Sequence, residues 1–420
     1  MKKIDLLADI RPEKKVVPTS PTPDSLANNQ PDSTTSVITL TEPKTPLGPI
    51  FIEDYSPTKN TLQTFHSALL DSKTKKVRIA FFGDSFIEGD ILCGSFRDTL
   101  QAIFGGRGVG YVPMASEVAQ FRMSIRHTYE NWETYSLVNK KNAGIPLGFP
   151  GYCFVPLSEN SINYHTPKKS SRPFENFRLF YRNHAINQLR FVINDSLEYT
   201  QDLAVSDSVT KLSLSVTPAT SLDLRFEKPD SLWVYGGSFE DGPGVYVDNM
   251  AMRGNSGMGL SSISDSQIHQ FNSHQNYRLV ILQYGLNVVS ESDSLGYDWY
   301  VEKMVKVVNK LRLAMPQAAI LLLGVSDRSS NQDGTFATIP AIPKMRDAQR
   351  KIAQRTQVAF WDTFDAMGGS GTMVNYVNSN PPLAAKDYTH LTYLGGRKIA
   401  KKLADALLHD FKKNAKKSNQ

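Results

Sequence analysis

The run Val77–Phe82 is apolar except for Arg78 and ends directly in Gly83-Asp84-Ser85, after which apolar residues recur at helical spacing. An apolar run of this length predicts a strand buried on both faces, and the 3.6-residue recurrence predicts a helix behind it. Strand followed by helix is the unit of an open α/β sheet, and such sheets bind ligands outside the carboxyl ends of their strands. Ser85 is therefore expected at the mouth of the sheet. The helix amino terminus behind it is expected to offer free N–H groups and a positive dipole end. A serine needs a base to act as nucleophile. Of the eight histidines, only His390 has an aspartate three residues before it, Asp387. That spacing lets the carboxylate hold one imidazole nitrogen while the other takes a proton from Ser85.

The α/β rhythm sets the organisation. Ser56-Pro57 is a helix-start signal, and Leu62, Phe65 and Leu69 follow on one helical face. Ile91, Leu92, Phe96, Leu100 and Ile103 mark the helix after Ser85. From residue 116 to 245 the pattern changes to period two. Lys211–Val216 and Ser221–Phe226 alternate cleanly, as do Phe121, Met123 and Ile125, with shorter strands at Phe177–Tyr181, Leu189–Ile193 and Leu232–Tyr235. Strands with polar turns between them predict an antiparallel β-sandwich of jelly-roll type inserted into the α/β domain. Tyr164, Tyr181, Trp233 and Tyr235 are either a sugar-stacking platform or, as strand aromatics more often are, core. Strands then resume at Leu279–Leu282, Ala319–Leu323 and Val358–Trp361. They alternate with helices marked by Val301, Met304, Val308 and Leu311, by Met345, Ala348 and Ile352, and, after Gly395-Gly396, by Ile399, Leu403, Leu407 and Phe411. The predicted class is a three-layer α/β/α parallel sheet interrupted by a β-rich insertion.

Gly285-Leu286-Asn287 directly follows the strand Leu279–Leu282, and Gly254-Asn255 lies in a loop-like stretch. With Gly83-Asp84-Ser85 and Asp387-Tyr388-Thr389-His390, these blocks resemble the SGNH (GDSL-like) hydrolase superfamily. The resemblance covers residues 50–115 and 246–412. Gly83–Asp90, Phe104–Gly110 and Gly242–Asp248 look like the bacterial peptidoglycan O-acetylesterase branch, although that branch often has His after the serine where this chain has Phe86. The resemblance implies Ser85, Asp387 and His390 as a catalytic triad. It implies an oxyanion hole from the N–H groups of Ser85 and Gly254 and the side-chain amide of Asn287. It further implies a carbohydrate-binding-module-like insertion, an acylated carbohydrate such as peptidoglycan as substrate, and a periplasmic or envelope address. The expected layout is a disordered tail at 1–48, a hydrolase in two parts (49–115 and 246–412), the insertion at 116–245, and a basic tail at 413–420.

Three functions stay open: a serine esterase releasing O-acyl groups, an acyltransferase with the same triad, and an inactive carbohydrate-binding protein. Asp84 is expected to be structural, accepting local N–H groups, and Asp90 to brace its loop. His409 is expected to pair with Asp405 on a helix surface. Composition narrows the field. The net charge of +6 is concentrated in Lys401, Lys402, Lys412, Lys413, Lys416 and Lys417, a solubilising helix end. No stripe of Arg and aromatics suggests nucleic acid. Cys93 and Cys153 make no disulfide framework, and no His/Cys/Asp cluster has metal-ligand spacing, so no metal or other cofactor is expected; Glu291-Ser292-Asp293-Ser294 reads as a polar loop. No segment reaches the ~20 apolar residues of a membrane span. The first nine residues start like a signal peptide but acquire acids and lack an apolar h-region, so no signal peptide is visible, which conflicts with the envelope address and leaves a cytoplasmic one as the alternative.

Overall fold

Two sheets with opposite habits divide the chain. A computed structural model describes residues 49–139, 144–167, 173–227, 229–291 and 296–418, with side chains up to 414 apart from residue 217. The expected tail at 1–48 and the loop residues 292–295 lie outside the described residues, so their assignments have no structural counterpart.

The elements run in this order: β1 (Glu53–Asp54), α1 (Gln63–Leu70), β2 (Lys76–Gly83), α2 (Cys93–Phe104), β3 (Arg107–Val112), β4 (Arg126–Ser136), β5 (Tyr152–His165), β6 (Phe174–Asn183), β7 (Asn187–Ile193) and β8 (Leu197–Leu203). Then come β9 (Ser206–Ala219), β10 (Ser221–Phe226), β11 (Leu232–Asp241), β12 (Gly244–Ala251), α3 (Asp265–Gln275), β13 (Tyr277–Gln283), α4 (Asp298–Ala314) and β14 (Ala319–Leu323). The last are β15 (Ser329–Gln332), β16 (Thr335–Thr338), α5 (Ala341–Thr356), β17 (Ala359–Trp361), α6 (Thr363–Met367), α7 (Thr372–Val377) and α8 (Tyr393–Ser418).

The first sheet has the order β1-β17-β14-β13-β2-β12 and is parallel except for the short edge strand β1. Successive residues on a strand face opposite ways. Phe81 meets Phe96 of α2 at 5.9 Å between ring centroids, while Phe82 meets Phe149, which in turn touches Phe271 of α3. Both faces of β2 are thus covered, which is why its sequence is an almost unbroken apolar run. The chain leaves β2, returns at β12 on one side, and continues with β13 on the other. The carboxyl end of β2 is therefore the switch point of the topology, where open sheets form their crevice.

The second sheet holds nine antiparallel strands in the order β8-β7-β10-β5-β11-β6-β9, with β3 on β11 and β4 on β5. One of its faces packs on the α/β core, where Phe180 meets Phe271 at 4.8 Å. The other face encloses a core of its own, including Phe177, Leu179, Tyr164, Tyr181, Leu222 and Phe239.

Several expectations need correction. The antiparallel sheet already starts at β3, before residue 116, because β3 pairs with β11, and the parallel sheet resumes at Gly244 rather than 246. Ser56-Pro57 lies in a turn, since the Asp54 carboxylate accepts the N–H groups of Ser56 and Thr61 and delays α1 to Gln63. Phe121, Met123 and Ile125 lie before β4 and outside any strand, and Met123 is exposed. Ile103, expected on the buried face of α2, is exposed too. The last helix runs through Gly395 and Gly396 rather than starting after them. A Cβ there would sit 1.9 Å from the Leu383 carbonyl oxygen and 2.0 Å from that of Ile91, so only glycine lets α8 come this close. That helix continues to Ser418, so 413–418 are helical and not a tail. Asp405 pairs with Lys401, and His409 instead lies against Phe51 at 4.4 Å. Tyr164, Tyr181 and Tyr235 are buried in the core, and Trp233 is covered by Arg182, so the four aromatics form no platform.

Candidate active site

Three neighbouring strands deliver the site. Ser85 follows β2, Gly254 follows β12 and Asn287 follows β13, all at the same end of the sheet. What lies behind Ser85 differs from expectation. A turn and a 3-10 helical turn at Glu88–Asp90 intervene, and α2 begins only at Cys93, so its amino terminus is not directly behind the hydroxyl.

The fourth contribution arrives from the loop between α7 and α8. Ser85 Oγ lies 2.8 Å from His390 Nε2, and His390 Nδ1 lies 2.6 Å from Asp387 Oδ2. A carboxylate only accepts, so Nδ1 carries the proton and Nε2 is free to accept from the serine. Asp387 Oδ1 accepts the backbone N–H groups of Thr389 and His390 at 3.0 Å each. Burial acts to raise the Asp387 carboxyl, but the hydrogen bond and charge of His390 and these two donors outweigh it and hold it below its ordinary range. The tight loop requires Tyr388 in the left-handed region at φ 54°. Phe336 on the β15–β16 hairpin stacks on that Tyr388 ring at 3.7 Å, and Ser329 donates its N–H to the Tyr388 carbonyl.

Asp84 is sealed beneath the site. It accepts the Phe86 N–H at 3.0 Å and the Asn287 side-chain amide at 3.2 Å; burial pushes its carboxyl up to about 7. The Asn287 amide also donates to the Asn255 carbonyl at 3.2 Å. Both neighbours are acceptors, which aims the nitrogen of Asn287 at them. Gly254, at φ 74° and exposed, has open space where a Cβ would be. Its loop is tied to the serine loop by Arg253, whose guanidinium meets Glu88 at 2.8 Å, and Met252 donates its N–H to the Gly83 carbonyl. All five expected site residues therefore lie in the loops at the carboxyl edge of the sheet. Ser85, His390 and Asp387 form a hydrogen-bonded chain, and Asn287 is linked to them through Asp84.

Three supports were not legible beforehand: Phe336, Asn255 and the reach of Asp90. Asp90 does more than brace its loop. It is buried and takes Arg97 through both oxygens at 3.1 Å, Arg122 at 3.0 Å and the Asn249 amide at 2.9 Å, joining the serine loop to α2 and β12. Burial acts to raise its carboxyl, but Arg122 and Arg97 hold it well below the usual carboxylate range. Among the described residues no three His, Cys, Asp or Glu side chains converge as metal ligands would, and no helix is long and apolar enough to cross a membrane.

No protein-family model and no curated protein matches the chain. Among solved structures, a salicylyl-acyltransferase from a tetracycline biosynthetic pathway is 12% identical, with 72% of this chain and 97% of that one covered and a TM-score of 0.31. A family two carbohydrate esterase from Cellvibrio japonicus is 9% identical over 68% and 99%, with a TM-score of 0.29. Likenesses this distant carry no weight. A peptidoglycan O-acetylesterase is 23% identical, with 86% of this chain and 99% of that one covered and a TM-score of 0.70. This chain shares its fold with that peptidoglycan O-acetylesterase.

Proposed function

We propose that this chain is a serine esterase of the SGNH type that removes O-acyl groups, acetyl foremost, from a complex carbohydrate of the cell envelope. The observation that carries the reading is the hydrogen-bonded chain Ser85–His390–Asp387 at the switch point of the parallel sheet. In this reading residues 107–241 are an inserted sandwich of jelly-roll type between two halves of a three-layer hydrolase.

Ser85 Oγ attacks the ester carbonyl while His390 Nε2 takes its proton, and Asp387 stabilises the imidazolium. The tetrahedral oxyanion is met by the N–H groups of Ser85 and Gly254 and by the Asn287 amide. Asn287 holds both amide protons in bonds of 3.2 Å, so one of them, that to the Asn255 carbonyl, is exchanged for the oxyanion. Collapse expels the sugar hydroxyl, which takes the proton from His390. Water then attacks the acyl-enzyme by the reverse path and releases the carboxylic acid. The likeness to the peptidoglycan O-acetylesterase supports the substrate class and, with it, an envelope location.

Acetate release from O-acetylated peptidoglycan, with and without an acceptor sugar, tests the proposal. Release that is unaffected by the acceptor is expected. Acyl transfer to the acceptor in place of release would assign a transferase, and inertness on every ester while glycan is still bound would assign a binding protein.

A further inference from the structure

A second concave surface lies at the opposite end of the parallel sheet. A cavity of about 670 Å3 opens where β2 and β13 begin, between α1, the end of α3, and strands β6 and β9 of the antiparallel sheet. Lys76, Arg78, Arg178, Lys211 and Arg278 line it. Two sealed carboxylates answer them. Glu240 Oε2 is shared by Arg78, Lys76 at 2.8 Å and Arg178 at 3.2 Å. Asp248 lies 3.5 Å from Arg78 and already accepts the Tyr277 hydroxyl and the Tyr111 N–H. Nearby Asp241 is engaged by Arg107 at 3.2 Å, and Lys75 at the rim is paired with Asp71. Five basic side chains thus face two carboxylates, an excess of three basic groups.

Lys211 and Arg278 have no acid partner among the described residues. Burial, then Arg178 and Arg78, pushes Lys76 down to about 7, and the same causes lower Lys211. Like charges gathered in a half-buried cleft oppose folding and concentrate anions from solution. Gln63, Thr64, Ser67, Asn276 and Gln317 add neutral hydrogen-bonding groups to the lining, beside His274, whose Nε2 meets the Val209 carbonyl. Cations set among amides and hydroxyls suit a ligand that bears both phosphates and hydroxyl groups. We propose that this cleft binds a phosphorylated sugar, its phosphates held by Lys76, Arg178, Lys211 and Arg278 and its hydroxyls by Gln63, Thr64 and Asn276. The eight residues of β2 put this site roughly 25 Å from Ser85, too far for one sugar unit to touch both.

Titration calorimetry of the full chain in about 50 mM salt, where charge is only partly screened, tests the assignment. The probes are fructose 1,6-bisphosphate, pyrophosphate and fructose. One bisphosphate is expected per chain, with pyrophosphate several-fold weaker and fructose inert. Lys211→Ala and Arg278→Gln orphan no acid among the described residues, so both should fold, and each should weaken the bisphosphate by roughly tenfold. Lys303→Ala, an exposed change on α4, should leave binding unchanged, and ester hydrolysis should be equal in all of these variants. Absence of bisphosphate binding, an equal loss in Lys303→Ala, or unaltered affinity in the Lys211→Ala/Arg278→Gln double variant would overturn the site. Pyrophosphate binding as tightly as the bisphosphate would overturn its sugar half.

Discussion

The two ends of the parallel sheet solve opposite problems with the same strands. At the carboxyl end the side chains of Ser85, His390, Asp387, Asp84 and Asn287 each have a hydrogen-bond partner within 3.2 Å. At the amino end Lys76, Arg78 and Arg178 crowd one carboxylate oxygen, and Lys211 and Arg278 have none among the described residues. A site that performs chemistry gains from groups fixed before substrate arrives, because no reorganisation is then needed in the transition state. A site that only binds can hold its charge uncompensated until a ligand supplies the counter-charge. The contrast predicts that the two ends respond to different substitutions.

The sharpest break between them is expected at the relay. His390→Ala should lower hydrolysis of a small acetyl ester by several orders of magnitude, and Asp387→Ala by less, since the carboxylate orients and stabilises without touching substrate. Asn287→Ala should cost about a hundredfold in turnover with little change in apparent binding, as for a donor engaged in the transition state. None of the three should change affinity for a sugar bisphosphate at the other end. Steady-state kinetics beside calorimetry would show whether the two ends are separate, and parallel losses in both assays would mean that they are not.

A smaller effect concerns stability beneath the serine. Burial raises Asp84 from an ordinary 3.8 to about 7, so between these values the folded chain binds the proton more tightly than the unfolded chain. The Asp84 contribution therefore declines as pH rises through that window and levels off above it. Asp84→Asn removes the charge but keeps one oxygen, so it accepts from Phe86 or Asn287 and turns its NH2 toward the other donor. Its Tm relative to that of the wild type should rise from pH 4 to pH 8, on top of a constant cost from the lost acceptor. Thermal melts across this range check the sign, and a constant offset would contradict the buried-carboxylate account.

How much was legible depended on burial. β2, β13 and β14 are covered on both faces, so their central residues form near-continuous apolar runs that announce themselves. β9 and β10 alternate because one face is wet. β4 shows neither pattern, since most of its residues between Thr128 and Glu133 are exposed, and its pairing with β5 is set by neighbours. The relay could be read because Asp387 and His390 are close in sequence and Ser85 ends a recognisable strand. Phe336 left no local trace, because its partner Tyr388 is reached only through the folded β15–β16 hairpin. The start of α1 was misplaced for a similar reason: the Asp54 side chain captures backbone donors that Ser56-Pro57 seemed to offer to a helix.

The central claim is that Ser85 carries the acyl group. Brief incubation with an activated acetyl ester, acid quenching and peptide mass spectrometry would locate the adduct directly. One acetyl group per chain is predicted on the peptide containing Ser85, captured when quenching outruns hydrolysis of the acyl-enzyme. No adduct, and hydrolysis at least a thousandfold slower, is predicted for Ser85→Ala. Equal hydrolysis by wild type and Ser85→Ala, or a turnover-competent adduct on any other residue, would contradict the account.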